Sequence, residues 1–183
     1  GLTIALTSTI THALLHGDWL HLTINGAWFL AFGSLISRRS GLVGFLLLFA
    51  ASAIAGALFF TAFNPSGMVP LVGASGAISG LMGAAFRLIF SVGPGAGFAT
   101  LHSHPIAVPR MPLARALRDQ RTMTAVLIWL GINLAFGFGM GDMMQSGEIA
   151  WEAHIGGFLF GFLAFAWFDK GLTYGDWETP LEP

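Results

Sequence analysis

The sequence predicts an all-α protein that crosses a membrane several times as a bundle of helices. Hydrophobic residues make up 55% of the 183 residues and charged residues only 9%, whereas soluble domains carry about 25% charged residues. So few charges cannot coat a water-exposed surface, but a surface that faces lipid needs no such coat. Long apolar runs separated by short polar segments point the same way. The whole chain, residues 1–183, is predicted to be one domain.

Five apolar segments are candidate transmembrane helices, each of which needs about 20 mostly apolar residues. The segments are approximately 20–36, 42–63, 75–90, 123–138 and 153–168. The second segment has no charged residue, and a glycine-rich turn precedes the third. The first and last are short for a full span, so we expect an additional helical turn or a locally thinner bilayer.

Three segments lie outside the predicted spans. Residues 1–19 are too interrupted to cross and predict an interfacial helix on the outer side, with an apolar face formed by Leu6, Ile10, Leu14 and Leu15. Residues 91–121 contain four prolines and several glycines, which is typical of a loop, and a short basic helix is expected near its end. Residues 171–183 are predicted to be a tail.

The charge distribution predicts the orientation in the membrane. With five alternating spans, all eight Lys and Arg residues fall on one side, and basic loops remain in the cytoplasm. The opposite loops carry only acidic charges: Asp18, Asp142, Glu148 and Glu152. We therefore expect the 91–121 loop and the C-terminal tail in the cytoplasm and residue 1 outside. An outside start without a signal suggests a further span upstream.

Four polar residues in or beside the spans are functional candidates, because a polar group in hydrocarbon costs free energy unless it is paired. His21 and Asn25 lie four residues apart on one face of the first span. Ser75 opens the third span within the tetrapeptide GASG, and His154 opens the fifth. Ordinary structural roles are also open to them: His and Asn pair between helices, and Ser caps helix N-termini. A helix N-terminus additionally offers the N–H groups that an oxyanion needs.

Small residues predict a close approach between the third and fifth spans. Gly157 and Gly161 follow His154 on its own helical face, and small residues let helix backbones approach. The third span has a similar face, formed by Gly76, Gly80 and Gly83. Docking these faces would bring His154 toward Ser75, and a hydroxyl about 3 Å from an imidazole makes a nucleophile with its general base.

Taken in order, these motifs resemble the rhomboid family. The matching residues are HALLHGDWLH at 12–21 running on to Asn25, Phe32-Gly33, Gly73-Ala74-Ser75-Gly76, and Ala153-His154 with Gly157 and Gly161. The resemblance covers nearly the whole chain and implies a six-helix rhomboid core that here lacks its first helix. It also implies a bacterial inner membrane protein whose active site opens to the non-cytoplasmic side.

The resemblance further implies a Ser–His dyad without an acidic third member. Ser75 matches the nucleophile and His154 the base, while His21 and Asn25 match the oxyanion donors, joined by the backbone N–H of Ser75. Gly73, Gly76, Gly157 and Gly161 are the helix-packing positions near the site. Ser79 departs from the pattern, because some family members carry an aromatic residue there that packs on the catalytic histidine. Another residue must then orient His154.

The predicted function is an intramembrane serine endopeptidase that cleaves transmembrane helices of membrane-protein substrates near the outer face. Its expected partners are those substrates and the lipid bilayer. A net charge of −1 argues against nucleic acid, and no metal or cofactor is expected, although His102 and His104 share the 91–121 loop. The main alternative is a catalytically inactive rhomboid-like protein that binds membrane clients. An aspartyl protease built on Asp142 lacks a second acid, and a transporter lacks a continuous polar path.

Overall fold

The computed structural model describes residues 2–66, 70–93, 96–140 and 149–172, and these ranges are helical with short connections and without strands. The helices are α1 Leu2–Thr11, α2 Trp19–Trp28, α3 Ser34–Phe63, α4 Ser75–Ile89, α5 Ala96–Ser103, α6 Leu113–Ala116, α7 Gln120–Ala135 and α8 Trp151–Ala164. Five further turns are the π-helical Phe29–Gly33 and Phe136–Met140 and the 3-10 turns His12–Leu14, Pro105–Ala107 and Phe165–Trp167. The all-α class predicted from the sequence is therefore confirmed for the described residues.

Helix α2, the π-helical turn and α3 follow one another without a break, and this continuous segment bends into a hairpin within α3 instead of forming one straight helix. As a single helix, the 45 residues of Trp19–Phe63 would extend about 68 Å, twice the hydrocarbon thickness. At Gly41, however, the backbone leaves the helical region with φ 70° and ψ 170°. The ring of Phe29 packs against Phe45 and Phe49, with both pairs of ring centroids 5.8 Å apart. The chain before Gly41 and the chain after it therefore run antiparallel.

Two helical segments, Trp19–Phe63 and Gln120–Phe138, are long and apolar enough to cross a membrane. Ser75–Ile89 is apolar but shorter. Because the first segment turns back at Gly41, it supplies two of the five predicted spans. The count of five spans stays a prediction, for which the two arms of the hairpin and helices α4, α7 and α8 are the corresponding segments.

Helix α4 lies at the centre of the bundle and packs against α3 and α8, which also pack against each other. Most of its side chains are buried, and Leu81 and Leu88 belong to a core that also contains Ile36, Leu48 and Phe165. Leucines on the outward face of α3 are exposed, among them Leu42, Leu46 and Leu47. An apolar outer surface around a buried core is what a helix bundle in lipid requires.

Glycines allow α8 to contact its neighbours through the backbone. A Cβ atom at Gly157 would overlap the carbonyl group of Gly76, and one at Gly161 would overlap that of Gly80. On the side of α3, a Cβ atom at Gly56 would lie 2.7 Å from the carbonyl oxygen of Ala153. Helix α8 is thus held tightly against both α4 and α3 at the level of its first turns.

Buried cations hold the end of the bundle that is opposite Ser75. Arg39 is buried and donates to both carboxylate oxygens of Asp169, and Arg110 donates to the same carboxylate at 2.8 Å. Arg39 also donates to four backbone carbonyl groups, those of Pro105, Ile106, Val108 and Leu172. These contacts join the bend at Gly41 to the segment before α6 and to the chain after α8.

The connections differ in detail from the sequence-based expectations. The 91–121 segment contains α5, which its proline and glycine content did not predict, in addition to the short helix α6 near its end. Glu152, expected in a loop, lies buried in the first turn of α8 and accepts a hydrogen bond from Asn64. Asp142, Glu148 and residues 173–183 of the predicted tail lie outside the described residues.

Candidate active site

Ser75 is the first residue of α4 and is reached through a turn that requires glycine. Gly73 has a φ of 109°, which side chains of L-residues rarely allow, and its N–H donates to the carbonyl oxygen of His12 at 3.0 Å. A Cβ atom at Gly73 would lie 2.7 Å from His21 Nε2 and 3.8 Å from Ser75 Oγ. His21 and the serine hydroxyl therefore border the same small space, which a side chain at residue 73 would fill.

His154 lies in the first turn of α8 and faces the serine. Its Nε2 atom is 2.8 Å from Ser75 Oγ, a hydrogen-bond distance between residues that are 79 positions apart in the chain. The contact of Gly76 with Gly157 brings the two helices together next to this pair. A hydroxyl in this position can give its proton to the imidazole when it attacks an electrophile.

The other ring nitrogen of His154 faces α7. Its Nδ1 atom lies 2.8 Å from Asn133 Oδ1, and the Nδ2 group of Asn133 donates to the carbonyl oxygen of Trp129 at 2.8 Å. Asn133 is only 8% exposed. Asn133 is not among the site residues predicted from the sequence, although an amide within the apolar run 123–138 was the available signal.

The two residues predicted as oxyanion donors, His21 and Asn25, lie on α2. The His21 side chain faces the space beside Ser75, whereas the amide of Asn25 is turned toward its own helix. The His21 ring borders Gly73 and makes an edge contact with the His16 ring, with centroids 5.1 Å apart. Asn25 is buried, and its Nδ2 group donates to the carbonyl oxygen of His21 at 3.0 Å. The amide of Asn25 is thus engaged by its own helix. The backbone N–H of Ser75 is in the first turn of α4, where N–H groups have no partner within the helix.

His16 adds a polar group at the edge of the site. Burial lowers its pKa, and the neighbouring His21 lowers it further. Both effects favour the neutral imidazole, because burial and a nearby like charge each penalise the cation.

An apolar cavity of about 320 Å³ opens beside the serine. Its walls come from α2, α3, the start of α4 and the turn after α1, and they include Asn25, Gly26, Phe29, Phe49, Ala74 and Ile78. Ala74 directly precedes Ser75, so the wall of the cavity includes the residue next to the serine in the chain. A Cβ atom built at Gly26 would meet no other atom within 4 Å.

Metal-ligating side chains do not cluster at this site. Within the described part of the chain, no group of three or more His, Asp or Glu side chains is arranged to hold a metal ion. His104, at the opposite end of the bundle, has its Nδ1 atom 2.9 Å from Ser103 Oγ.

The helical bundle brings a serine and a histidine from separate helices together, and comparison with known proteins identifies the family of the chain. The Rhomboid domain model matches residues 5–170, so the chain belongs to the rhomboid family of integral membrane proteins. The rhomboid protease GluP of Bacillus subtilis (strain 168) is similar, with 30% identity over 157 residues. The match covers 86% of this chain but 25% of GluP, so the chain corresponds to about a quarter of that relative. The resemblance to the family predicted from the sequence is confirmed.

Proposed function

We propose that this chain is an intramembrane serine endopeptidase that cleaves transmembrane segments of membrane proteins near their outer ends. The observation that carries this proposal is the distance of 2.8 Å between Ser75 Oγ and His154 Nε2. Membership of a family that includes a named protease supports it. Helices α4 and α8, which hold the two residues, are in backbone contact, and such tight packing provides the rigid support that a catalytic site needs.

The reaction begins when Ser75 Oγ attacks the carbonyl carbon of the scissile peptide bond. His154 Nε2 takes the hydroxyl proton and then delivers it to the nitrogen of the leaving amine, so that the C–N bond breaks and an acyl-enzyme ester remains. Water then attacks the ester with His154 again as the base, which releases the carboxylic acid and restores the serine. The two half-reactions together consume one water molecule.

The oxyanion of each tetrahedral intermediate is stabilised by donors at the start of α4 and on α2. The backbone N–H of Ser75 and the ring of His21 border the space next to the hydroxyl. Asn25 becomes a third donor when its amide turns from the His21 carbonyl oxygen, its partner in this structure. Each such donor is worth about 10²–10³ in kcat.

The substrate is a transmembrane segment that unwinds locally at the outer membrane surface. A helix hides its carbonyl groups in hydrogen bonds, so a cleavable segment contains residues such as Gly that weaken helices. The apolar cavity beside Ala74 and Asn25 accommodates an apolar substrate side chain next to the scissile bond. Because the cavity is apolar, charged side chains are disfavoured there.

The active site opens to the non-cytoplasmic side, and the C-terminus lies in the cytoplasm. The support for this orientation is that basic residues gather at the end of the bundle remote from Ser75. Arg39 and Arg110 share the carboxylate of Asp169, and Arg121 donates to carbonyl oxygens just after α4. Basic segments remain on the cytoplasmic side during insertion.

A fluorophosphonate probe together with a transmembrane substrate tests the proposal. Wild type is expected to be labelled and to cleave, whereas Ser75→Ala is expected to do neither, because the reacting oxygen is gone. Ser79→Ala is the matched control: it removes another buried hydroxyl one turn along α4 and is expected to retain both activities. Binding of the substrate by wild type without labelling or cleavage would contradict the proposal and favour an inactive, client-binding protein.

A further inference from the structure

We infer that Asn133 is a positioning residue that fixes the tautomer and the ring orientation of His154, so that the site is a chain of three side chains, Ser75, His154 and Asn133. The inference rests on the proposed function, since it assigns a role within the same reaction. It also identifies what orients His154 in a chain that has Ser79 where an aromatic residue packs in some family members.

The hydrogen bonds of Asn133 determine which end of its amide faces His154. A backbone carbonyl oxygen only accepts hydrogen bonds, so the amide atom 2.8 Å from the Trp129 carbonyl oxygen must be the donor Nδ2. The acceptor Oδ1 then faces His154 Nδ1 at 2.8 Å. The reversed amide would set an acceptor against an acceptor at Trp129.

The orientation of the amide in turn determines the proton on His154. Because Oδ1 can only accept, Nδ1 of His154 carries the proton, and Nε2 has a free lone pair. Nε2 is the atom next to Ser75 Oγ, so the serine hydroxyl donates to it, as a general base requires. The other tautomer would place an N–H group against the hydroxyl, and His154 could not take the serine proton.

The surroundings of Asn133 hold it in place. Its anchor, Trp129, has its ring stacked on Phe158 of α8, with centroids 4.2 Å apart and planes at 19°. Phe158 lies one turn after His154 on the same helix and is buried. Helix α7 is therefore fixed to α8 just below the amide, and the distance between Asn133 and His154 is set by packing.

Two substitutions at residue 133 separate positioning from mere packing. Asn133→Leu keeps a similar shape but removes the acceptor, so kcat is expected to fall by about 10- to 100-fold, part of the 10²–10⁴ that a general base contributes, while KM changes less than about twofold. Asn133→Asp restores an acceptor toward His154 Nδ1 but sets a carboxylate oxygen against the Trp129 carbonyl oxygen, so kcat is expected to lie above that of Asn133→Leu and below that of wild type. Thr122→Val changes a buried polar side chain eleven residues before Asn133 in the same helix, about 16 Å along its axis, and is expected to leave kcat unchanged.

A tautomer measurement gives a readout that does not depend on catalysis. The chain has six histidines, and ¹⁵N-histidine spectra of wild type minus those of His154→Ala isolate the signals of His154. Wild type is expected to show a protonated Nδ1 and an unprotonated Nε2, and Asn133→Leu a mixture of tautomers. A wild-type spectrum with the proton on Nε2 overturns the inference without any variant at residue 133.

The outcomes distinguish the inference from the proposed function. If wild type neither reacts with the fluorophosphonate nor cleaves, the proposed function fails, while the spectra still report on the tautomer. If wild type is active and Asn133→Leu has the same kcat, only the role of Asn133 is refuted. If Asn133→Leu lowers only the midpoint of thermal unfolding and leaves kcat per folded molecule unchanged, the role of Asn133 is refuted as well.

Discussion

Gly157 shows how one absent side chain determines the position of His154 relative to Ser75. Its Cα hydrogen faces the carbonyl group of Gly76, the residue after the serine, and a methyl group there would overlap that carbonyl. Protein interiors are closely packed, so α8 would have to move away from α4 to accept even one methyl group at residue 157. His154 lies three residues earlier on α8 and would move with it.

Gly157→Ala is therefore expected to lower stability by about 1–3 kcal/mol, the usual cost of overpacking, and to slow fluorophosphonate labelling of the folded protein. Gly131→Ala is the matched control, because a Cβ atom at Gly131 meets nothing within 4 Å. It is expected to be neutral or to stabilise α7 by up to about 1 kcal/mol. Thermal unfolding in detergent checks both variants, and equal midpoints would show that the α4–α8 contact does not limit the bundle.

At the scale of residues, the sequence predicts which side chains lie together better than it predicts how each side chain is oriented. Ser75 and His154 could be paired because each opens an apolar segment bordered by small residues, and their helices meet as that pattern indicates. The amide of Asn25 could not be oriented from sequence, since an Asn in a helix chooses between its own backbone and a neighbouring group. Asn133 was missed because a single amide in an apolar run carries no motif.

The hairpin formed by α2 and α3 shows what determines the residue at which a helix ends. The sequence predicts that the first span stops near Ile36, because Arg38 and Arg39 follow it. The helix continues to Ser40 and breaks at Gly41, since Arg39 is neutralised inside the bundle by Asp169. The helix thus runs one turn past Ile36, which is one of the two possibilities expected for this short span. A contact between residues 130 positions apart is not visible in a local pattern, so the residue at which the helix ends could not be predicted.

The cavity between α2 and α4 provides the test at the scale of elements. Gly26→Phe is expected to fill it without a clash, since the Cβ position is open, and to lower kcat/KM for a transmembrane substrate by at least about tenfold, as for one misfitting group in an apolar pocket. The small fluorophosphonate probe is expected to react at nearly the wild-type rate.

Ala27→Phe is the control for this experiment, because residue 27 is exposed and does not line the cavity. It is expected to leave both rates unchanged. If Gly26→Phe cleaved the substrate as fast as wild type, the cavity would have no part in substrate binding.

The whole molecule has a chemical polarity along the axis of the bundle. Ser75, His154 and His21 meet at one end, and the basic residues paired with Asp169 lie at the other. Composition and the distribution of Lys and Arg were sufficient to predict this arrangement. They could not predict α5, because it is short and directly follows Gly93, Pro94 and Gly95.

The orientation can be measured without background because the chain has no cysteine. Residue 19 is 83% exposed. Trp19→Cys is expected to react with a membrane-impermeant maleimide in cells whose outer membrane or wall has been removed and whose inner membrane is intact. Arg118→Cys, exposed near the start of α7, is expected to react only after the membrane is permeabilised. The opposite pattern would invert the orientation and place the reacting serine on the cytoplasmic side.

The contact between Arg39 and Asp169 also has a consequence for folding during synthesis. A ribosome that adds about 5–20 residues per second needs roughly 6–26 s to make the 130 residues between them. During that time the guanidinium has only water, lipid phosphates and nearby carbonyl oxygens to bind. The Arg39–Asp169 contact at this end of the bundle consequently cannot form until residue 169 has been made.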